Sequence, residues 1–143
     1  MCYDCAFEGE IDENNDYKFY LITHVPITTL CPCSKEISQY GAHNQRALLK
    51  IKVSYDNDKH IWLEDLIQTA ESCASCEIYP LLKREDEKFV TEHAYDNPKF
   101  VEDVLRDVVL LLRNDDKIDS FEVECESLES IHNHSAWAYQ AEG

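Results

Sequence analysis

Residues 47–56, ALLKIKVSYD, alternate without a slip: Leu49, Ile51, Val53 and Tyr55 against Lys50, Lys52 and Ser54. Side chains on a strand point to opposite faces in turn, so this pattern demands one dry face and one wet one. An antiparallel sheet with a single covered face provides that. Three other segments share the period. In YKFYLITHVPI, Phe19, Leu21, Thr23 and Val25 fall on one side, and Pro26 is expected to end the regular pairing. FEVECES sets Phe121, Val123 and Cys125 opposite Glu122, Glu124 and Glu126, while SAWAYQ sets Trp137 and Tyr139 opposite Ala136 and Ala138.

Between these pairs the period changes to that of a helix. From Ile61 to about Tyr79, residues Leu63, Leu66, Ile67, Ala70, Cys73, Ala74 and Glu77 recur at helical spacing. A second helix follows, with Asn97 as its cap and Pro98 in its first turn. Its apolar stripe runs through Phe100, Val101, Val104, Leu105, Val108, Leu111 and Leu112. The order ββααββ predicts an α+β domain: a four-stranded antiparallel sheet with two helices on one face. Such a sheet has two open edges, and pairing with other chains is the expected way to cover them.

At 143 residues the chain suits one domain, residues 1–143, with a real core. No apolar run approaches the ~20 residues needed to span a bilayer. The opening MCYDCAFEGEIDENND carries acids where an export signal carries bases and an apolar stretch, so a cytoplasmic setting is expected. A formal charge of −16 opposes binding to nucleic acid or an anionic membrane. It leaves room for a small phosphorylated ligand beside local bases: Lys35 and Arg46, or the cluster Lys83, Arg84 and Lys88.

Seven cysteines cannot all pair within one chain, and in a reducing compartment thiols serve as metal ligands, reactive groups or buried hydrophobes. Cys2/Cys5 and Cys73/Cys76 imitate a structural zinc site, but the second pair lies in a helical pattern and the first at a fraying terminus. The stretch TTLCPCSKEISQYGAHNQR is more informative. Its Cys31 and His43 are separated by a loop whose Gly41 lets the chain fold back. With Glu77, on the stripe that faces the sheet, they make a sulfur, nitrogen and oxygen donor set. Three protein ligands leave a coordination position open, the arrangement of a catalytic metal. A metal there brings the pKa of its water toward neutrality, and the donor set suits zinc, iron(II) or manganese(II). Each residue also has a plainer reading: Cys31 as a small buried hydrophobe, His43 as a loop residue bonded to backbone, Glu77 as an exposed acid at a helix end stopped by Pro80.

Cys33 is held apart from Cys31 by Pro32, which suits it to touch substrate or to be inert. His132 and His134, in ESIHNHSAWA, would relay protons near a metal hydroxide or simply sit on the surface.

Three stretches, TTLCPCSKEISQYGAHNQR, YPLLKREDEKFVTEHAYDNPKFVEDVLRD and ESIHNHSAWA, together resemble the type IB GTP cyclohydrolases of the tunnelling-fold superfamily. The resemblance implies a tunnelling fold, whose element order matches the one read above. It also implies hydrolysis of GTP to 7,8-dihydroneopterin triphosphate and formate, the first step of folate (tetrahydrofolate), pterin or deazapurine (queuosine) synthesis. By motif, the single divalent metal falls to Cys31, His43 and Glu77. Cys33 matches a second active-site thiol, and one of His132 and His134 matches a catalytic histidine. Glu92, in VTEHAY, is implied as the acid that accepts the guanine N–H donors; otherwise it is a solvated loop carboxylate. Lys35, Arg46 and Lys83 are candidates for the triphosphate. Family members carry two tandem modules, and this chain corresponds to the second. The implied assembly is a homo-oligomer, or a hetero-oligomer with a separate N-terminal module without which the chain is inactive. A variant within the family yields a cyclic phosphate instead.

Overall fold

The computed structural model describes residues 2–56 and 58–143. Strands β1 (Asp4–Ile11), β2 (Tyr17–Leu30), β3 (Asn44–Tyr55), β5 (Ile118–Leu128) and β6 (Ser135–Glu142) form one antiparallel sheet in the order β1-β2-β3-β5-β6. A two-residue strand, β4 (Cys76–Glu77), adds to the edge of β2 beyond β1. Four helices accompany it: α1 (Pro32–Ile37), α2 (Leu63–Ser72), α3 (Arg84–Asp96) and α4 (Val101–Arg113).

The alternation read from the sequence sets the register. Leu49 lies between Val25 and Cys125, Ile51 between Thr23 and Val123, Val53 between Leu21 and Phe121. These residues point to the face that α2 and α4 cover with Leu66, Ala70, Val104, Val108 and Leu112. Each large apolar side chain buried this way contributes about 1.5–3 kcal/mol. The opposite face carries Lys52 within 2.6 Å of Glu8 and 4.0 Å of Glu122, the carboxylate of Glu8 holding its ammonium more basic than usual.

The α+β class and the covered face are as expected, and the arrangement is consistent with a tunnelling-type fold. The counts are not: among the described residues the sheet has six strands rather than four, with four helices rather than two. β1 follows the terminus expected to fray at Cys2 and is absent from the expected strands. It forms a hairpin with β2 around Asp12, whose carboxylate accepts from the amides of Asn14 and Asp16, both at 2.8 Å, while Asn15 takes a positive φ of 64°. Asparagine tolerates that conformation better than most residues. α3 has no apolar stripe and buries only Ala94, so periodicity could not reveal it. Acids in its first turn, with Asp86 accepting from the Lys83 amide at 2.9 Å, hold it instead.

The helix expected to reach Tyr79 stops at Ser72. β1 leaves β2 at His24, so the edge of β2 from Ile27 onward needs other partners. Residues 75–77 supply them: the Ser75 amide donates to Thr28 O at 3.0 Å, and Ser75 Oγ accepts from the Leu30 amide at 3.1 Å. Edge satisfaction outweighs the helical pattern. Pro26 does not end pairing; it opposes Leu48, at the gap between β1 and β4 where no strand flanks β2 on that side. Asn97 caps the C-terminus of α3, and its Nδ2 donates to Ala74 O at 2.8 Å. α4 starts from Phe100, whose amide donates to Asp103 at 3.0 Å. On β6 it is Ala138 that enters the core, while Trp137 and Tyr139 stack on the open face, with Trp137 Nε1 donating to Glu124 at 2.8 Å.

Candidate functional site

Beyond the end of β2 the chain makes a corner from the two halves of TTLCPCSKEISQYGAHNQR. The segment expected to be loop-like contains α1, with Pro32 in its first turn. Cys31 caps it: the thiol accepts from the Ser34 amide at 3.4 Å and is buried, 8% exposed. Gly41, at φ 129°, lets residues 38–43 return. The Cys31 amide donates to His43 O at 3.1 Å, so the two predicted ligands are joined through backbone. Ser34 Oγ fastens the joint from behind, donating to Cys31 O at 3.0 Å and accepting from the His43 amide at 3.2 Å. His43 Nδ1 faces Gln45 Oε1 at 3.0 Å and Ser130 Oγ at 3.2 Å.

Glu77 stands elsewhere. It is half-buried on β4 opposite Ile27, four residues short of Cys31, about 13 Å along the strand. Its carboxylate accepts from Tyr79 Oη and lines a hollow of about 450 Å³ with Glu71, Phe89 and His93. That hydrogen bond, then burial and the Glu77 charge, push the Tyr79 phenol up to about 12. Tyr3, which donates to Glu71, is likewise pushed up to about 12, chiefly by that bond. Among the described residues no three His, Cys, Asp or Glu side chains converge closely enough to hold a metal ion.

Other predicted residues surround the corner unevenly. Cys33 is exposed on α1. Lys35 reaches α3, donating to Tyr95 O and lying 4.3 Å over the Tyr95 ring, so its charge is engaged. Arg46 is exposed on β3 opposite Thr28. Glu92 is exposed on α3, 3.8 Å from Lys88, and lines a cleft of about 560 Å³ with Tyr40, Gly41, Asn44 and Tyr95. Lys83 caps α3. His132 and His134 are exposed with rings parallel and centroids 5.1 Å apart; the turn bearing them is tied to the corner through Ser130.

The remaining thiols divide cleanly. Cys2 and Cys5 are exposed, whereas Cys73, Cys76 and Cys125 are buried, and burial raises all three, Cys125 to about 12. Neutral buried thiols of this kind behave as small hydrophobes.

Ser34, Gln45 and Ser130, which position His43, went unseen in the sequence. For Gln45 the signal was present: two residues beyond His43 at the start of a strand, it shares His43's side. Ser34 and Ser130 gave none, because their partners are distant in the chain.

Comparison with known proteins matches residues 1–138 to a family model described as type I GTP cyclohydrolase folE2. A GTP cyclohydrolase FolE2 from Azoarcus sp. (strain BH72) is 56% identical over 138 residues, covering 96% of this chain and 51% of that protein. The protein of the same name from Thermosipho africanus is 59% identical over 138 residues, 96% of this chain and 52% of its own. That from Caldicellulosiruptor bescii is 57% identical over 136 residues, with 95% and 52% covered. The chain spans about half the length of the curated relatives it matches. No described helix is long and apolar enough to cross a membrane.

Proposed function

The chain belongs to the type I GTP cyclohydrolase folE2 family, and from that premise we propose that it is the catalytic half of a GTP cyclohydrolase of the type IB, tunnelling-fold kind. GTP and water would become 7,8-dihydroneopterin triphosphate and formate, feeding folate, pterin or deazapurine synthesis in the cytoplasm. One observation carries the reading: Cys31 and His43, twelve residues apart, are joined backbone to backbone at a corner beside an open cleft.

The thiol and imidazole fit a divalent metal such as zinc, manganese or iron(II), being a soft and a borderline donor on one rigid frame. Glu77 is the proposed third ligand; it would leave the Tyr79 hydroxyl and close on the corner. Bound there, the metal supplies Lewis acidity that makes hydroxide available near neutrality. The chain's own groups do the rest. Glu92, at the lip of the cleft, accepts the guanine N–H donors, and Tyr40 and Tyr95 offer faces to the base. Cys33 and one of His132 and His134 carry protons to and from the opening imidazole ring. Arg46 meets the triphosphate, and Lys35 joins it once freed from Tyr95.

Incubating the purified chain with GTP and manganese, then following the fluorescence of the oxidised pterin, tests the reading. Product formation supports it, and product mass separates the linear triphosphate from a cyclic phosphate. A second reading is favoured by the half-length match: a metal-binding half-module that completes a hetero-oligomer and turns over nothing alone. Signal that arises only after adding a separate N-terminal module selects it; no signal in either case rejects both.

A further inference from the structure

His43 meets both of its partners through Nδ1, and behind Gln45 the polar contacts continue inward. Gln45 Nε2 lies 3.2 Å from Thr29 Oγ1, Thr29 Oγ1 3.5 Å from Ser127 Oγ, and Ser127 Oγ 3.3 Å from Glu129 Oε1. Thr29 is 1% exposed and Ser127 0%, so the middle of this chain of contacts has no access to bulk water.

Counting protons gives the chain a direction. Each hydroxyl has one proton to give, an ionised carboxylate only accepts, and an amide donates only through nitrogen. Ser127 therefore donates to Glu129 and must accept from Thr29. Thr29, its proton so used, must accept from Gln45, which turns Nε2 inward and Oε1 toward His43. A carbonyl oxygen cannot donate, so the proton between Gln45 and His43 sits on Nδ1. Ser130 agrees: its oxygen shares the Nδ1–H, and its own proton points to Gln45 Oε1 at 3.5 Å. The reversed amide would leave either Thr29–Ser127 or Ser127–Glu129 without a proton, a costly state for buried groups.

We propose that Glu129, acting through Ser127, Thr29 and Gln45, sets the tautomer of His43, with the proton on Nδ1 and the Nε2 lone pair free to ligate. Gln45 is a positioning residue; it touches His43 and not the substrate. The assignment deepens the metal reading given above, yet it makes a claim about the metal-free chain that stands by itself. A ligating histidine is commonly oriented by such a contact on its other nitrogen.

The test uses the full chain, metal-free, with nitrogen-15 in the histidine rings. A long-range proton–nitrogen correlation spectrum reports the tautomer, and His43→Asn identifies the His43 signals by their loss. Wild-type His43 should carry its proton on Nδ1. Gln45→Leu and Glu129→Leu should each return it to the Nε2-protonated form that an unconstrained histidine prefers. Thr29→Val, close in shape to threonine, should do the same and serves if Gln45→Leu does not fold. A wild-type ring protonated on Nε2, or an Nδ1 form that survives all three substitutions, overturns the proposal. Cobalt(II) alone then probes the consequence. Gln45→Leu should weaken binding about 10–100-fold, with Gln45→Glu, which keeps an acceptor at Nδ1, recovering most of it. Undiminished affinity in Gln45→Leu also overturns the positioning role. A wild-type chain that shows the Nδ1 tautomer but binds no cobalt upholds the tautomer claim and rejects the metal corner instead.

Discussion

The corner at Cys31 and His43 and the hollow at Glu77 hold their acids and bases in opposite ways. At the corner the bonds are to backbone: amide to carbonyl at 3.1 Å, with Ser34 closing both sides at 3.0 and 3.2 Å. In the hollow, among the described residues, the carboxylates of Glu71 and Glu77 are held only by the hydroxyls of Tyr3 and Tyr79. The amide-to-carbonyl bond between Cys31 and His43 survives whatever their own side chains do, whereas a phenol releases a carboxylate by one rotation. On the proposed ligand set, two donors would wait in place while the third stays free to be recruited. That would be preorganisation at the soft ligands and adaptability at the hard one.

The largest effect expected from breaking this asymmetry is at Cys31. Cys31→Ala should abolish metal binding and turnover together, measured by metal analysis of the dialysed protein and by pterin fluorescence. Cys33→Ala, on the exposed side of α1, should lose turnover while keeping metal. Next in size is the frame itself. Ser34→Ala removes a donor and an acceptor at once and should cost about 1–3 kcal/mol in denaturant unfolding. Gly41→Ala meets open space but forces a side chain onto φ 129°, at a cost of about 1–3 kcal/mol. Equal stability of either variant would mean that the corner is not held as described.

In the hollow the effects are smaller. Tyr79→Phe should change stability by less than about 1 kcal/mol, because the bond is exposed. It should tighten metal binding by releasing Glu77, while Glu77→Gln should weaken it. Unchanged affinity in Glu77→Gln would transfer the third position to another acid. The smallest effect is in pH dependence. Both phenols are raised from 10.0 to about 12 in the folded chain. A group with a raised folded pKa adds stability that is complete below its unfolded value and is lost as pH climbs through the folded one. The contribution should therefore fade between pH 10 and about 12. Phenolate absorbance should show Tyr79 returning toward 10 in Glu77→Gln and Tyr3 doing so in Glu71→Gln.

Legibility in the sequence follows the same division. The core strands and α4 were readable because their burial is periodic: Leu49, Ile51 and Val53 have no alternative face to occupy. α3 was invisible because Lys83 and Asp86, not an apolar stripe, define its start. β1 was hidden by acids, although Cys5, Phe7, Gly9 and Ile11 alternate with Asp4, Ala6, Glu8 and Glu10 before an Asp-Glu-Asn-Asn-Asp turn. The end of α2 could not be read at all. It depends on Ser75 meeting Thr28 and Leu30, a long-range demand by the open edge of β2. At the site, residue type and spacing single out Cys31 and His43 as candidates, and only the family resemblance sets them above their plainer readings. The position of Glu77 was missed because it was placed on a helix that ends five residues earlier.

The measurement closest to the central claim is the cobalt(II) absorption spectrum of the purified chain. The account predicts a thiolate-to-metal charge-transfer band that is kept in Cys33→Ser and lost in both Cys31→Ser and His43→Asn. A band that survives Cys31→Ser, or wild-type protein that shows none, would contradict it.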